Sequence, residues 1–295
     1  AVRSLCKAGF RVRVAMRRPH IGGDLRLAGD VGQVQLVQAN VRNRASVARA
    51  VEGAYGVVNL VGLLYEKGKQ RFETTHAQGA MTLAEAARAA GVERFVQMSA
   101  IGADKDSDAA YARTKAEAEE AVRAIYPEAV ILRPSVVFGP EDDFINRFAQ
   151  MARMSPFLPL IGGGHTRFQP VFVADVGDAV AAALTQTDAA GKTYELVGPN
   201  TYTFKEILSF ITREIDRARL LVPLPFFAAK LMGTGLDLAF RLWPFSGPPL
   251  TAGQVEMLKT DNVAAPGALG LADLGVSPIE TLEAIAPRYL VRFRP

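Results

Sequence analysis

The stretch Arg94–Gly139 reads RFVQMSAIGADKDSDAAYARTKAEAEEAVRAIYPEAVILRPSVVFG. It opens on a short apolar run, RFVQMSA, passes through an alanine-rich periodic segment, TKAEAEEAVRAIYP, and closes on a second apolar run, AVILRPSVVFG. Two short apolar runs flanking a helical pattern predict a strand, a crossover helix and a second strand parallel to the first. Runs rich in valine of this kind belong to a sheet covered on both faces.

The pattern repeats on both sides of that unit. Upstream, FRVRVAM alternates Phe10, Val12 and Val14 with arginines and stops at the polar turn RRPHIGG; VQLVQA and GVVNLVGLL follow, and QPVFVADV lies downstream. NRASVARAVEGA and AQGAMTLAEAARAAG supply further helices between strands. The expected fold class is α/β, a doubly wound parallel sheet. No period of 20 to 50 residues and no low-complexity segment interrupts it. After Pro199 the pattern turns to longer helices and proline-rich joints, TFKEILSFITREI, LLVPLPFFAAKLMGTGLDLAFRLWPFSGPPL and TAGQVEMLKTDN. Residues 1–198 therefore read as the sheet domain and 199–295 as a smaller, mainly helical lobe over the carboxyl ends of the strands. The segment Pro140–Pro170 is open to either.

Composition narrows the function classes. With 295 residues, 49% hydrophobic and 22% charged, the chain builds a proper core and is not disordered. The single cysteine, Cys6, excludes an intramolecular disulfide framework, and His20, His76 and His165 have no ligand-like spacing. A reducing compartment and no structural metal are expected. The net charge of +4 comes from basic residues scattered among acids, apart from Arg17-Arg18 and the terminal PRYLVRFRP. That suits a membrane surface or an acidic partner and not nucleic acid. No stretch reaches 18 uncharged apolar residues, so no transmembrane helix is expected, and AVRSLCKAGF does not read as a signal peptide. Val2, Leu5 and Cys6 fall at helical spacing with Gly9 as a C-cap, which reads as the last turns of a helix whose first part, with the strand before it, is missing.

The chemistry gathers at YARTK, Tyr111–Lys115. With a helix starting near Tyr111, the i to i+4 spacing puts both side chains on one face, where an ammonium beside the phenol oxygen favours its ionised form. A tyrosine brought toward neutrality exchanges a proton with a carbonyl or alcohol. Ser99 closes the preceding strand at the carboxyl edge of the sheet, where its hydroxyl reaches the same substrate oxygen. The competing reading of the pair alone is a solvated lysine at a helix start with Tyr111 packed under a loop.

Ser99, Tyr111-Ala-Arg-Thr-Lys115 and ILRPSVVFGP together resemble the short-chain dehydrogenase/reductase superfamily, extended or atypical branch, with its Rossmann fold. The resemblance implies that Ser99, Tyr111 and Lys115 form the catalytic triad, Lys115 also binding the nicotinamide ribose. The superfamily's glycine fingerprint between first strand and first helix has no counterpart; Gly162-Gly163-Gly164 precedes a strand and reads as a turn near the substrate mouth. Arg17 and Arg18 stand where an acid would receive the adenosine ribose hydroxyls, and an arginine there forks onto a 2′-phosphate, which implies NADP(H) rather than NAD(H). Asn40 and Val41 take the adenine side; Asn59, Leu60, Val61 and Gly62 the ribose side; Pro134, Ser135 and Val136 the nicotinamide end; Met98 is a further cofactor-binding residue.

Longer strings narrow the resemblance: RFVQMSAIGAD, RPSVVFGPEDDFINRFAQMARMSPFLPLIGGG, RFQPVFVADVGDAV and GPPLTAGQVEMLKTDNV are similar to the family of NADPH-binding accessory subunits of respiratory complex I, the ninth of its alpha subcomplex, in bacterial form. This implies a structural, cofactor-bearing subunit with complex I peripheral-arm partners, cytoplasmic and peripheral to the inner membrane, or on the matrix side in a eukaryote. The alternative is a free NADP(H)-dependent reductase, epimerase or dehydratase acting on a nucleotide sugar or an isoprenoid or quinone-like carbonyl, with Tyr111 as general acid/base. Between Phe226 and Trp243, Lys230, Asp237 and Arg241 occupy one face, and Phe227, Leu231, Leu238 and Leu242 another. Such a helix suits a membrane interface anchored by Trp243 and Phe245, a lid, or a partner contact; Gly233 and Gly235 weaken it as an isolated interfacial helix and favour the last two. The acidic PEDD at Pro140–Asp143 reads as the cap and first turn of the next helix.

Overall fold

The structure is a computed structural model that describes residues 1–241, 250–277 and 279–295. Its first part runs α1 (Val2–Lys7), β1 (Val12–Met16), β2 (Val34–Gln38), α2 (Arg44–Val51), β3 (Gly56–Asn59), a π-helical turn (Glu73–Ala77), α3 (Gln78–Ala89), β4 (Arg94–Met98), α4 (Ala110–Ile125) and β5 (Val130–Pro134). Next come β6 (Val137–Phe138), α5 (Ile145–Met154), β7 (Phe157–Ile161), β8 (Arg167–Phe168), β9 (Val171–Phe172), α6 (Val173–Thr185) and β10 (Thr193–Leu196). The remainder is β11 (Tyr202–Thr203), α7 (Phe204–Glu214), β12 (Leu220–Leu224), α8 (Phe226–Arg241), α9 (Ala252–Met257) and α10 (Leu282–Leu290).

The Arg94–Gly139 unit folds as its pattern predicts. β4 and β5 pair in parallel, Val96 opposite Val130, and α4 crosses between them. β3 and β10 extend this pair into a four-stranded parallel sheet in the order β10-β5-β4-β3. β1 and β2 form a separate parallel pair, Val12 opposite Val34 through Met16 opposite Gln38. The pair is tied to the larger sheet by Phe10 stacked on Tyr55 and by the Arg13 guanidinium, which donates to the carbonyls of Ala50 and Glu52 at 2.8 Å each. Between them, β1 and β3 border a cavity of about 1010 Å³.

Helices cover both faces of the sheet. On one, the alanines Ala80, Ala84 and Ala87 of α3 and Ala118 of α4 let the helices settle closely on Val57 and Phe95, and the Tyr126 hydroxyl donates to the Val92 carbonyl. On the other, Val176, Val180 and Leu184 of α6 pack under Val96, Val130 and Leu132, joined by Leu5 of α1 and by Leu271, Leu274 and Val276. A second core gathers Phe138, Ile145 and Phe148 with Phe204, Ile207, Ile211, Leu282 and Phe293, so residues 138–168 and those beyond 199 share one interior. Doubly wound α/β architecture is the result.

Two local readings change. α5 starts at Ile145 rather than within PEDD: Asp142 is the capping group, its Oδ1 accepting from the Phe144 and Asn146 amides, and its Oδ2 accepts from the Tyr289 hydroxyl of α10. Gly233 does not merely weaken α8; a Cβ there would meet the Ala252 nitrogen at 2.8 Å, so the glycine permits close contact with α9. Lys230 pairs with Glu256 and Asp237 accepts from the Ala252 amide, while Phe227 and Leu231 face outward, 77% and 75% exposed. Leu242, Trp243 and Phe245 lie outside the described residues, as do the side chains of Leu238 and Arg241. Among the described residues no helix is long and apolar enough to cross a membrane.

Candidate cofactor and proton-transfer site

The end of β4 and the start of α4 bring Ser99, Tyr111 and Lys115 to one edge of the sheet. The Ser99 amide donates to the Leu132 carbonyl, extending the β4–β5 ladder past its end, which leaves the side chain 3% exposed and its Oγ without a hydrogen-bond partner. Lys115, 5% exposed, donates from Nζ to the Met98 carbonyl at 3.2 Å, and Nζ lies 5.8 Å from the centre of the Tyr111 ring. Burial lowers the ammonium to about 8, against the opposing pull of Glu119. The Tyr111 phenol moves the other way, up to about 12, through burial.

That corrects the expectation of a phenol brought toward neutrality. The ammonium is directed to Met98 and the ring, and desolvation of the phenolate sets the direction of the shift. The solvated lysine of the competing reading is also absent, since Lys115 is buried. A protonated phenol and an ammonium retaining two further N–H donors can give a proton and bind hydroxyls.

Other side chains in the arrangement carry no signature in the sequence. His76, 2% exposed on the π-helical turn, sets its ring edge-on to Tyr111, with centroids 5.5 Å apart, and Phe72 packs against both. Its Nε2 accepts from the Leu63 amide at 2.8 Å and its Nδ1 lies 3.0 Å from Thr114 Oγ1. Burial first, then the Lys115 charge, push this imidazole down to about 3, so it is neutral. Glu119, one turn beyond Lys115, is held by both arms of Arg133 at 2.9 and 2.7 Å. Asn262 takes the Ser135 hydroxyl on Oδ1 at 2.6 Å and the Val136 amide on the same atom at 3.0 Å. Thr114 stood inside the quoted motif; nothing in spacing pointed to His76 or Asn262.

Arg17, Asn40, Val41, Asn59, Leu60, Val61 and Gly62 all line the cavity between β1 and β3; Arg18, Met98, Pro134, Ser135 and Val136 do not. Arg17 and Arg18 are exposed. Asn59 structures its own turn, donating to Gln97 and accepting from the Val61 amide, and Asn40 accepts from the Arg42 amide. Gly62 brings bare backbone up to the lysine, where a Cβ would lie in van der Waals contact 3.6 Å from Lys115 Nζ. The unpartnered Ser99 hydroxyl, the spare donors of Lys115 and the bare backbone of Gly62 beside that lysine fit the ribose and nicotinamide end of a dinucleotide. For the pyrophosphate there is no glycine-rich turn opening a helix among the described residues: Gly162–Gly164 joins β7 to β8 with φ of +60 to +73° and packs on Phe226 and Leu160.

Residues 1–197 match the model of the NAD dependent epimerase/dehydratase family. Over 99% of its length the chain is 36% identical to the mitochondrial NADH dehydrogenase [ubiquinone] 1 alpha subcomplex subunit 9 of Arabidopsis thaliana, of which it covers 74%. It is 32% identical over 76% of its length to a ceramide reductase of Caulobacter vibrioides, of which it covers 69%. Among solved structures, Citrobacter sp. triphenylmethane reductase complexed with NADP(H) has the same fold, with a TM-score of 0.73 and 19% identity over 99% of this chain and 94% of that one.

Proposed function

We propose that this chain, which belongs to the NAD dependent epimerase/dehydratase family, holds NADP(H) as a structural accessory subunit of respiratory NADH:quinone oxidoreductase, complex I. Its partners in this reading are peripheral-arm subunits, and it sits on the cytoplasmic or matrix side, peripheral to the inner membrane. Likeness to the alpha subcomplex subunit 9 along nearly the whole chain supports the assembly. The observation that carries a holding rather than a converting role is the placement of Lys115, whose ammonium is directed to the Met98 carbonyl at 3.2 Å.

Lys115 would hold the nicotinamide ribose, with Leu60, Val61 and Gly62 beside it. Arg17 and Arg18 would take the 2′-phosphate, and Asn40 and Val41 the adenine. Pro134, Ser135 and Val136 would border the nicotinamide, Ser135 with its hydroxyl already engaged by Asn262. When bound, the nicotinamide would supply a hydride.

The orphaned Ser99 hydroxyl favours a second reading, a reductase. A substrate carbonyl oxygen would accept from Ser99 while the protonated Tyr111 donates, which is the state that reduction requires. Tyr111→Phe separates the two. As a holding subunit the variant keeps its nucleotide and its association with complex I; as a reductase it loses oxidation of bound NADPH by isoprenoid, quinone-like or nucleotide-sugar carbonyls that the unaltered protein reduces. In both readings Arg17→Ala/Arg18→Ala weakens NADPH by about tenfold or more, a lost charge-assisted fork, and NADH much less.

A further inference from the structure

His76 links the two halves of the site through both of its ring nitrogens. The Leu63 amide, at the end of the Leu60–Leu63 loop, donates to Nε2. With Nε2 accepting, the proton of the neutral ring sits on Nδ1 and is donated to Thr114 Oγ1, which in turn donates to the Ala110 carbonyl in the first turn of α4. Gly62 lies over this link, a Cβ on it reaching Lys115 Nζ at 3.6 Å and His76 Nε2 at 4.0 Å. The ring also presses edge-on against Tyr111. His76 owes its place to the π-helical turn Glu73–Ala77, the kind of helix irregularity that recurs at functional sites.

We propose that His76 is a positioning residue, a strut that fixes the Leu60–Leu63 loop in register with Tyr111 and Lys115, so that loop and lysine present one surface to a nicotinamide ribose. Burial and the nearby Lys115 hold the imidazole uncharged throughout the physiological range, which keeps a second positive charge away from the ammonium. A merely space-filling histidine would need neither nitrogen. The nucleotide arm of the test rests on the cofactor-holding reading; the lysine arm does not.

The test compares His76→Ala with His76→Gln, whose amide oxygen reaches the Nε2 position and restores an acceptor for Leu63, in the full-length protein. NADPH affinity is read by fluorescence titration, Lys115 reactivity by mass spectrometry after reductive methylation without nucleotide, and folding by Tm. Stranding the Leu63 amide should weaken NADPH about tenfold in His76→Ala and raise Lys115 methylation about fivefold, with His76→Gln returning both to within about threefold of wild type. The proposal is overturned by a His76→Ala protein unchanged in Lys115 reactivity, or by a folded His76→Gln as impaired as His76→Ala. Wild-type protein that does not bind NADPH would overturn the function proposed above, and the methylation comparison would still decide on His76. Should His76→Ala not fold, Thr114→Val, which cuts only the α4 end of the strut, carries the same methylation comparison, an unchanged rate again overturning the proposal.

Discussion

At the scale of single residues, the buried Lys115 sets the pH behaviour. Its folded-state pKa of about 8 lies below the usual lysine value of 10.5, so between those values the unfolded chain binds the proton that the folded one has released. Stability therefore rises with pH through that window, and the penalty of burying the ammonium is fully present below pH 8. Tyr111 acts in the opposite sense only above pH 10, where the unfolded phenol ionises first. Between pH 8 and 10, wild type should gain about 2 kcal/mol relative to Lys115→Met in urea unfolding; parallel pH dependences would show that the lysine is not desolvated. Ser99, Tyr111 and Lys115 were legible as a set because strand end and helix start fix their places. The direction of the Tyr111 shift was not, because spacing gives the face a side chain occupies but neither its burial nor which acceptor the ammonium finds. His76 and Asn262 were illegible for another reason: their partners Thr114 and Ser135 lie 38 and 127 residues away.

Among elements, α4 and β5 are joined at the site by Arg133 and Glu119. Arg133→Met leaves the Glu119 carboxylate buried and without its fork, one turn from Lys115. A loss of about 3 kcal/mol is expected in chemical denaturation, and a change below about 0.5 kcal/mol would mean that solvent replaces the guanidinium. The contact of α8 with α9 gives a second expectation. Gly233→Ala places a Cβ 2.8 Å from the Ala252 nitrogen, which should cost about 1–3 kcal/mol, whereas Gly235→Ala, with open space around it, should be neutral or stabilising. Periodicity located these helices but misjudged their details. PEDD supplies the cap through Asp142 but not the first turn, which begins at Ile145, and Gly233 read as a weakness because its neighbour comes from another element.

For the whole molecule, the central observation is a parallel sheet in two parts, β1–β2 and β3–β4–β5–β10, whose facing edges border one cavity. Alternating strands and helices made that class readable from short valine runs alone. The shared core between residues 138–168 and the chain beyond 199 was left open in the sequence, because apolar periodicity identifies a buried face without naming what covers it. Seven of the residues expected to touch a dinucleotide border the cavity, while the orphaned Ser99 and Lys115 stand at the carboxyl end of β4 and the start of α4. In the function proposed above, this arrangement retains NADP(H) within complex I. Its most direct measurement is mass spectrometry of the nucleotide released from full-length wild-type and Tyr111→Phe proteins, together with the proteins that copurify. NADP(H) in both, accompanied by complex I subunits, is the predicted result; wild-type protein that carries no dinucleotide, or a Tyr111→Phe protein that keeps its nucleotide but loses those subunits, would contradict it.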